Sequence, residues 1–162
     1  MKKLIVIFML VISAGIFAQS SMKDDVEIVQ AIYGKSKADL VTQYMALSGT
    51  EAQAFSKIYQ EYEAERKSLG KKKIQIISDY ATYYENLTDE NADRLTKAAL
   101  KNNLDYEKLY SKYYEKSKRV IGAINAAKFI QLEVYLQTQI QSEVQNSIPF
   151  IGEIDLTKMK PK

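Results

Sequence analysis

The sequence predicts an all-α fold of long antiparallel helices, either a bent hairpin or a bundle of three to four helices. Three observations predict it. Apolar side chains recur at helical spacing from Ser48 to Asn146, with almost no strand-like alternation. The chain has 2 prolines, Pro149 and Pro161, both beyond the last periodic stretch, so nothing breaks a helix earlier. The breaks between periodic stretches are only about two to four residues long, and helices joined so tightly must fold back on one another.

The first segment, MKKLIVIFMLVISAGIFAQ, has two lysines, an unbroken apolar run from Leu4 to Ile12 and small residues leading to Ala18. That is the order of a secretory signal peptide, with cleavage expected between Ala18 and Gln19. The alternative is a retained anchor, but the apolar run is short of the roughly 20 residues that span a bilayer. Removing residues 1–18 takes away Lys2 and Lys3 and brings the net charge from +3 to about +1. The remaining chain is of single-domain size. With 0 cysteines, it has no disulfide to hold it in an oxidising compartment, and packing must do so.

Residues 19–46 read as an N-terminal segment with short helices at 23–32 and 37–46, residues 47–147 as the helical core and 148–162 as a tail. In the core, Ser48-Gly49-Thr50-Glu51 predicts a capping box, in which the Ser48 hydroxyl accepts from the Glu51 amide. Thr88-Asp89-Glu90-Asn91 is a weaker cap with acids in the first turn, and Asn125 can cap a third helix after Gly122. The long helices expected are 51–86, 89–121 and 126–146. Gly70 is expected inside a continuous or mildly bent helix, despite a cost of about 1 kcal/mol relative to alanine.

The first long helix carries Phe55, Ile58, Tyr59, Tyr62, Leu69, Ile76, Ile77, Tyr80, Tyr83, Tyr84 and Leu87 in a band about 120° wide. The second carries Leu95, Ala99, Tyr106, Leu109, Tyr110, Tyr113 and Val120, and the third Phe129, Leu132, Leu136, Ile140 and Val144. The sequence has 12 tyrosines and 0 tryptophans, and each ring needs its hydroxyl near water or a partner. Such rings suit the edges of a bundle or a groove better than a dry interior. In the tail, Ile148, Phe150, Ile151 and Ile154 are expected to strap back over the bundle.

Composition bears on function class. With 0 histidines and 0 cysteines the commonest bases and nucleophiles are missing, and so are the ligands that hold zinc or copper. No calcium loop of the D-x-[DN]-x-[DN]-G type appears. Ser68-Leu69-Gly70-Lys71 matches S-x-x-K without its companion motifs and lies on the polar side of its helix. The reading is therefore a non-enzyme without metal or cofactor. A basic stripe of Arg94, Lys97, Lys101, Lys108, Lys112, Lys116 and Arg119 is interleaved with Glu90, Asp105 and Glu115. That interleaving argues against nucleic acid and for a solvated face with pairs such as Glu90–Arg94.

Leu47-Ser48 with Glu51, and Leu87-Thr88 with Asn91, open helices as L-[ST]-x-x-[polar]. The segments LSGTEAQAFSKIYQEYEAE and INAAKFIQLEVYLQTQI are similar to the two places where the Spy/CpxP family of periplasmic helical proteins carries its LTxxQ repeat. Gln53 lies two places beyond the family position, and Ile124-Asn125 stand where the family has Leu-Thr. The resemblance covers about residues 45–146. It implies a bent helical hairpin, often paired into a cradle-shaped homodimer, in the periplasm. It also implies an ATP-independent chaperone or envelope-stress role, with unfolded or specific envelope proteins as partners and no membrane insertion after signal cleavage. The alternative is a structural or regulatory module with one envelope partner.

Arg66-Lys67-Ser68-Leu69-Gly70-Lys71-Lys72-Lys73 concentrates charge within the first long helix. Lys67, Lys71 and Lys72 project away from the apolar band, whereas Arg66 and Lys73 fall near its centre, where an unpaired charge is costly. Either they meet acids, or that face is open to clients. In the open case Arg66, Lys73, Tyr62, Tyr80 and Tyr84 form the candidate protein-binding surface. In the closed case, counting residues back from Leu87 sets Arg66 level with Leu109 and near Gln137, and Lys73 level with Asn102 and near Glu143. Glu133 and Glu143 share the face of Phe129, Leu136 and Ile140 in this reading, so the expected ion pairs are Arg66–Glu133 and Lys73–Glu143.

Overall fold

A computed structural model describes residues 34–145 and Ile151. The expected signal peptide, the short helix expected at 23–32 and the tail residues Ile148, Phe150 and Ile154 lie outside the described residues. Among the described residues the elements are α1 (Lys37–Met45), α2 (Gly49–Tyr83), a 3-10 turn (Tyr84–Asn86) and α3 (Asp89–Gln145). The fold is all-α. No described helix is long and apolar enough to cross a membrane.

α1 opens on Ser36, whose hydroxyl accepts from the Asp39 amide at 3.2 Å and donates to the Asp39 carboxylate at 2.7 Å. It closes on Ala46, which is left-handed at φ 51 and donates its N–H to the Thr42 carbonyl at 3.1 Å. A side chain in that conformation is strained, and glycine is the residue that adopts it freely. Ala46→Gly is expected to stabilise the protein by about 1 kcal/mol, read as a higher urea midpoint; a lower midpoint would show that the residue is not left-handed in solution.

α2 runs without a break through Gly70, which is buried. The capping box at its start does not form. Ser48 is extended and its side chain makes no cap hydrogen bond. The following residue, Gly49, is itself left-handed at φ 58, so the chain enters the helix at an angle that does not aim the serine hydroxyl at the Glu51 amide. The cap that looked weaker does form, because the Asn91 amide donates to the Thr88 hydroxyl at 3.2 Å. Thr88→Ala should therefore cost about 1 kcal/mol and Ser48→Ala a few tenths at most. Equal losses in denaturant titrations would mean that both hydroxyls cap in solution.

α3 is two arms joined at Gly122, where φ 75 and ψ 165 leave the helical region. The ring of Tyr62 lies 5.3 Å from that of Tyr113 and 5.2 Å from that of Phe129. A straight helix would hold Tyr113 and Phe129 about 24 Å apart. The chain therefore reverses at Gly122, and arm 123–145 runs back beside arm 89–121 and parallel to α2. The helix resumes directly after Gly122, so Asn125 lies inside the arm and caps nothing. One glycine in a conformation nearly closed to other residues makes the turn alone.

Among the described residues the result is a bundle of three long helices with α1 as a short fourth. Its core joins Phe55 and Tyr62 of α2 to Tyr106, Leu109, Tyr110 and Tyr113 of one arm, Phe129 of the other, and Val41 and Met45 of α1. Phe55 meets Phe129 edge to face at 5.1 Å, the arrangement that the charge distribution of the rings favours. Tyr62, Tyr106, Tyr110 and Tyr113 are all buried, so tyrosine fills the interior here and does not merely border it. Tyr62 and Tyr113 satisfy their hydroxyls by donating to carboxylates, Glu133 at 2.7 Å and Glu65 at 2.9 Å.

Candidate functional site

The centre of the bundle holds charge. Glu133 of arm 123–145 and Arg66 of α2 are each 1% exposed, and Lys37 of α1 is 6% exposed. Lys37 Nζ donates to Glu63 at 2.6 Å and to Glu133 Oε2 at 2.5 Å. Arg66 Nε donates to the same Glu63 at 2.9 Å, and the Tyr62 hydroxyl donates to Glu133 Oε2. Among the described residues, two cations and two carboxylates thus meet in one cluster drawn from α1, α2 and α3. Such a cluster is tolerable in a core only because each charge has a partner. Glu133 Oε1 accepts no hydrogen bond among the described residues. Lys37 also lies 5.3 Å from the Tyr62 ring centre, within cation–π range.

Burial pushes the Glu63 carboxyl up, but Lys37 and Arg66 beside it outweigh that and hold it below the usual range. Burial and the charge of Glu133 together push the Tyr62 hydroxyl well up, so it remains a donor at any physiological pH. The Glu63 shift has a consequence for stability. A carboxyl whose pKa is lower in the folded chain contributes fully above its unfolded value, about 4.3, and the contribution is lost as pH falls through the folded value. The urea midpoint should therefore hold from pH 7 to about pH 5 and fall below that, with a shallower fall in Glu63→Gln. An unchanged acid slope in that variant would remove Glu63 as a source.

Arg66 and Glu133, one of the pairs expected from spacing, sit in the same cluster, and the groups that link them are Glu63, Lys37 and Tyr62. Burial takes Arg66 and Tyr62 off the accessible surface, which corrects their placement on a client-facing face. Lys73 is half-buried and shares a cleft of about 220 Å³ with Ile76, Ile77, Ala99, Asn102, Gln141 and Val144. The expected level of Lys73 beside Asn102 and the end of the third helix is thus the observed one. Glu143, however, is exposed. At about 100° per residue it stands about 80° from Glu133 and about 20° beyond the buried Leu136, at the edge of the stripe and in the last turn of the arm. Tyr80 and Tyr84 are half-buried further along, with their rings 5.7 Å apart.

The basic stripe of arm 89–121 lies beside α2 and is largely paired. Lys112 meets Glu65 at 2.6 Å, Lys116 meets Glu61 at 2.7 Å and Arg94 meets Asp79 at 3.5 Å, three rungs between α2 and this arm. Arg94 thus pairs across to α2 and not with Glu90 as its spacing suggests. Lys97 and Lys101 pair within the arm, with Asp93 and Asp105. Each exposed rung is worth about 0–1 kcal/mol, so the ladder aligns helices more than it holds them. Alongside it runs a cleft of about 390 Å³ lined by Lys72, Gln75, Ile76, Ala98, Lys101, Asn102 and Asp105. Among the described residues no group of three acidic side chains could hold a metal ion.

Sequence reasoning missed Lys37 and Glu63. Lys37 stands four residues before Val41 and eight before Met45, on the one buried face of α1, and Ser36-Lys37-Ala38-Asp39 has the capping pattern that marks that helix's start. Glu63 is three residues before Arg66, a spacing at which helical side chains meet. No known family, characterised protein or solved structure matches the chain.

Proposed function

We propose that this is an exported, periplasmic helical protein that binds other proteins without catalytic turnover, in a role like that of the Spy/CpxP proteins it resembles. The observation that carries the proposal is the cleft of about 390 Å³ between α2 and arm 89–121. It sets the exposed Lys72, Gln75 and Lys101 beside the half-buried Ile76 and Ala98. Apolar side chains beside Lys72 and Lys101 suit a partner that offers apolar and acidic groups. A second reading, a regulatory module with one specific partner, draws support from the closed core, since Tyr62 and Arg66 are not offered to a client in this state.

Light scattering of an unrelated unfolding protein tests the proposal. Suppression of aggregation near equimolar ratio, weakened by Ile76→Ser and by Lys72→Glu, is the expected result. No suppression at any ratio would sink the chaperone-like reading and leave the single-partner module. N-terminal sequencing of the exported protein tests localisation. Gln19 at the mature N-terminus is expected, and recovery of intact Met1 at the membrane would show an anchor.

A further inference from the structure

The short helix α1 occupies a place that another helix could take. It buries one side chain per turn, Lys37, Val41 and Met45, and leaves Ala38, Asp39, Thr42, Gln43 and Tyr44 exposed. A helix of 9 residues has little stability of its own and depends on what it docks against. Its exit, Ala46, is held in a conformation that alanine disfavours. Beneath it lies a floor of aromatic rings, among them Phe55, Tyr59 and Phe129. At one end of that floor are the carboxylates of Glu63 and Glu133.

Charge makes the place specific. With Lys37 withdrawn, two carboxylates remain against the one guanidinium of Arg66 among the described residues, and the seat is acidic. Even with Lys37 present, Glu133 Oε1 accepts no hydrogen bond among the described residues, because the lysine and the Tyr62 hydroxyl both donate to Oε2. A guanidinium carries five donors in a planar fork and can engage both oxygens of a carboxylate, which an ammonium does less well.

We propose that the groove under α1 is a docking site for a helix of a partner protein, with α1 as its resident occupant and competitor. The partner helix carries an arginine where α1 carries Lys37, followed four and eight residues later by apolar side chains the size of Val41 and Met45. The proposal rests on the reading of this chain as a protein-binding one and gives that reading a second site, away from the cleft beside Ile76.

The probe is an end-blocked, fluorescent peptide with the sequence of residues 35–46, titrated into the full mature chain and followed by anisotropy. The peptide carrying Lys37→Arg should bind about tenfold tighter than the unaltered one, and the peptide carrying Lys37→Ala should bind at least about tenfold weaker. Val41→Ala in the protein loosens the resident helix and should tighten peptide binding by about tenfold. In the unaltered protein, hydrogen exchange should show the α1 amides opening at least about tenfold more often than the core amides of α2 and α3. Equal binding of all three peptides, or no binding to a folded Val41→Ala protein, would overturn the proposal. So would α1 amides that exchange only with global unfolding, a result that stands even if Val41→Ala does not fold. Suppression of aggregation without peptide binding would sink this proposal alone and leave the protein-binding reading in place.

Discussion

Glu133→Ala should destabilise the protein by about 3–5 kcal/mol, a large share of the 5–15 kcal/mol that holds a typical domain together. The loss comes from what is left behind more than from what is removed. Lys37, 6% exposed, would keep only the carboxylate that Arg66 also uses, and the buried Tyr62 hydroxyl would lose its acceptor. A buried donor without an acceptor and an unbalanced buried cation are both expensive. Glu133→Gln keeps an oxygen for Tyr62 but not the charge for Lys37, so its loss should be smaller and still well above that of Lys97→Ala. Lys97 is the exposed control, since its pair with Asp93 sits in water. Urea titrations of the three variants measure the order. A loss below about 1 kcal/mol for Glu133→Ala would place the cluster in effective contact with solvent.

Gly122→Ala should cost about 1–3 kcal/mol and change the way the chain assembles. A Cβ built on Gly122 meets nothing within 4 Å, so no neighbour resists the new methyl group. The cost lies in the backbone, which at φ 75 and ψ 165 is in a region that alanine scarcely enters. The chain can relieve the strain by continuing the helix through position 122. The two arms then separate, and Phe129 can regain Phe55 and Tyr62 only from a second copy. Exchanged dimers are the expected by-product. Light scattering coupled to gel filtration should show dimers rising with concentration in the variant. A variant that is both monomeric and as stable as the parent would show that the reversal does not depend on glycine.

The fold was legible because its signals are periodic and redundant. Apolar side chains recur over whole helices, and the break at Leu87 is marked by Thr88, whose cap forms. Counting from that break was enough to set Lys73 beside Asn102 and the end of the third helix. The third helix started in the wrong place because Asn125 looks like a cap, while a reversal at a single glycine has no cap to show. Ser48 misled for a related reason, since the φ of Gly49 cannot be read from its identity.

The candidate site was legible in part. Arg66 and Glu133 stand out because a charge on an apolar stripe is anomalous wherever the stripe is long. Lys37 carries the same anomaly on α1, but nine residues hold too few turns for a stripe to declare itself. Glu63 sits beside the apolar band of α2 and looks like any flanking acid until the arrival of Lys37 gives it a second cation. Tyr62 reads as apolar in a period count, and only its hydroxyl, aimed at Glu133, makes it part of the cluster. Glu143 shows the converse error. Its angle is near enough to the stripe to be counted in, yet the flank it occupies faces water.

The buried charges act as one unit that ties α1 to the bundle. A double-mutant cycle on Lys37 and Glu133 tests it most directly, with unfolding free energies measured for the parent, Lys37→Met, Glu133→Gln and the double variant. If the pair acts as a unit, the double variant should lose less than the sum of the single losses by about 1–3 kcal/mol, because the second substitution removes a charge that the first left stranded. Losses that add to within about 0.3–0.5 kcal/mol would contradict the account, for they would mean that Lys37 and Glu133 contribute independently and that α1 is held by Val41 and Met45 alone.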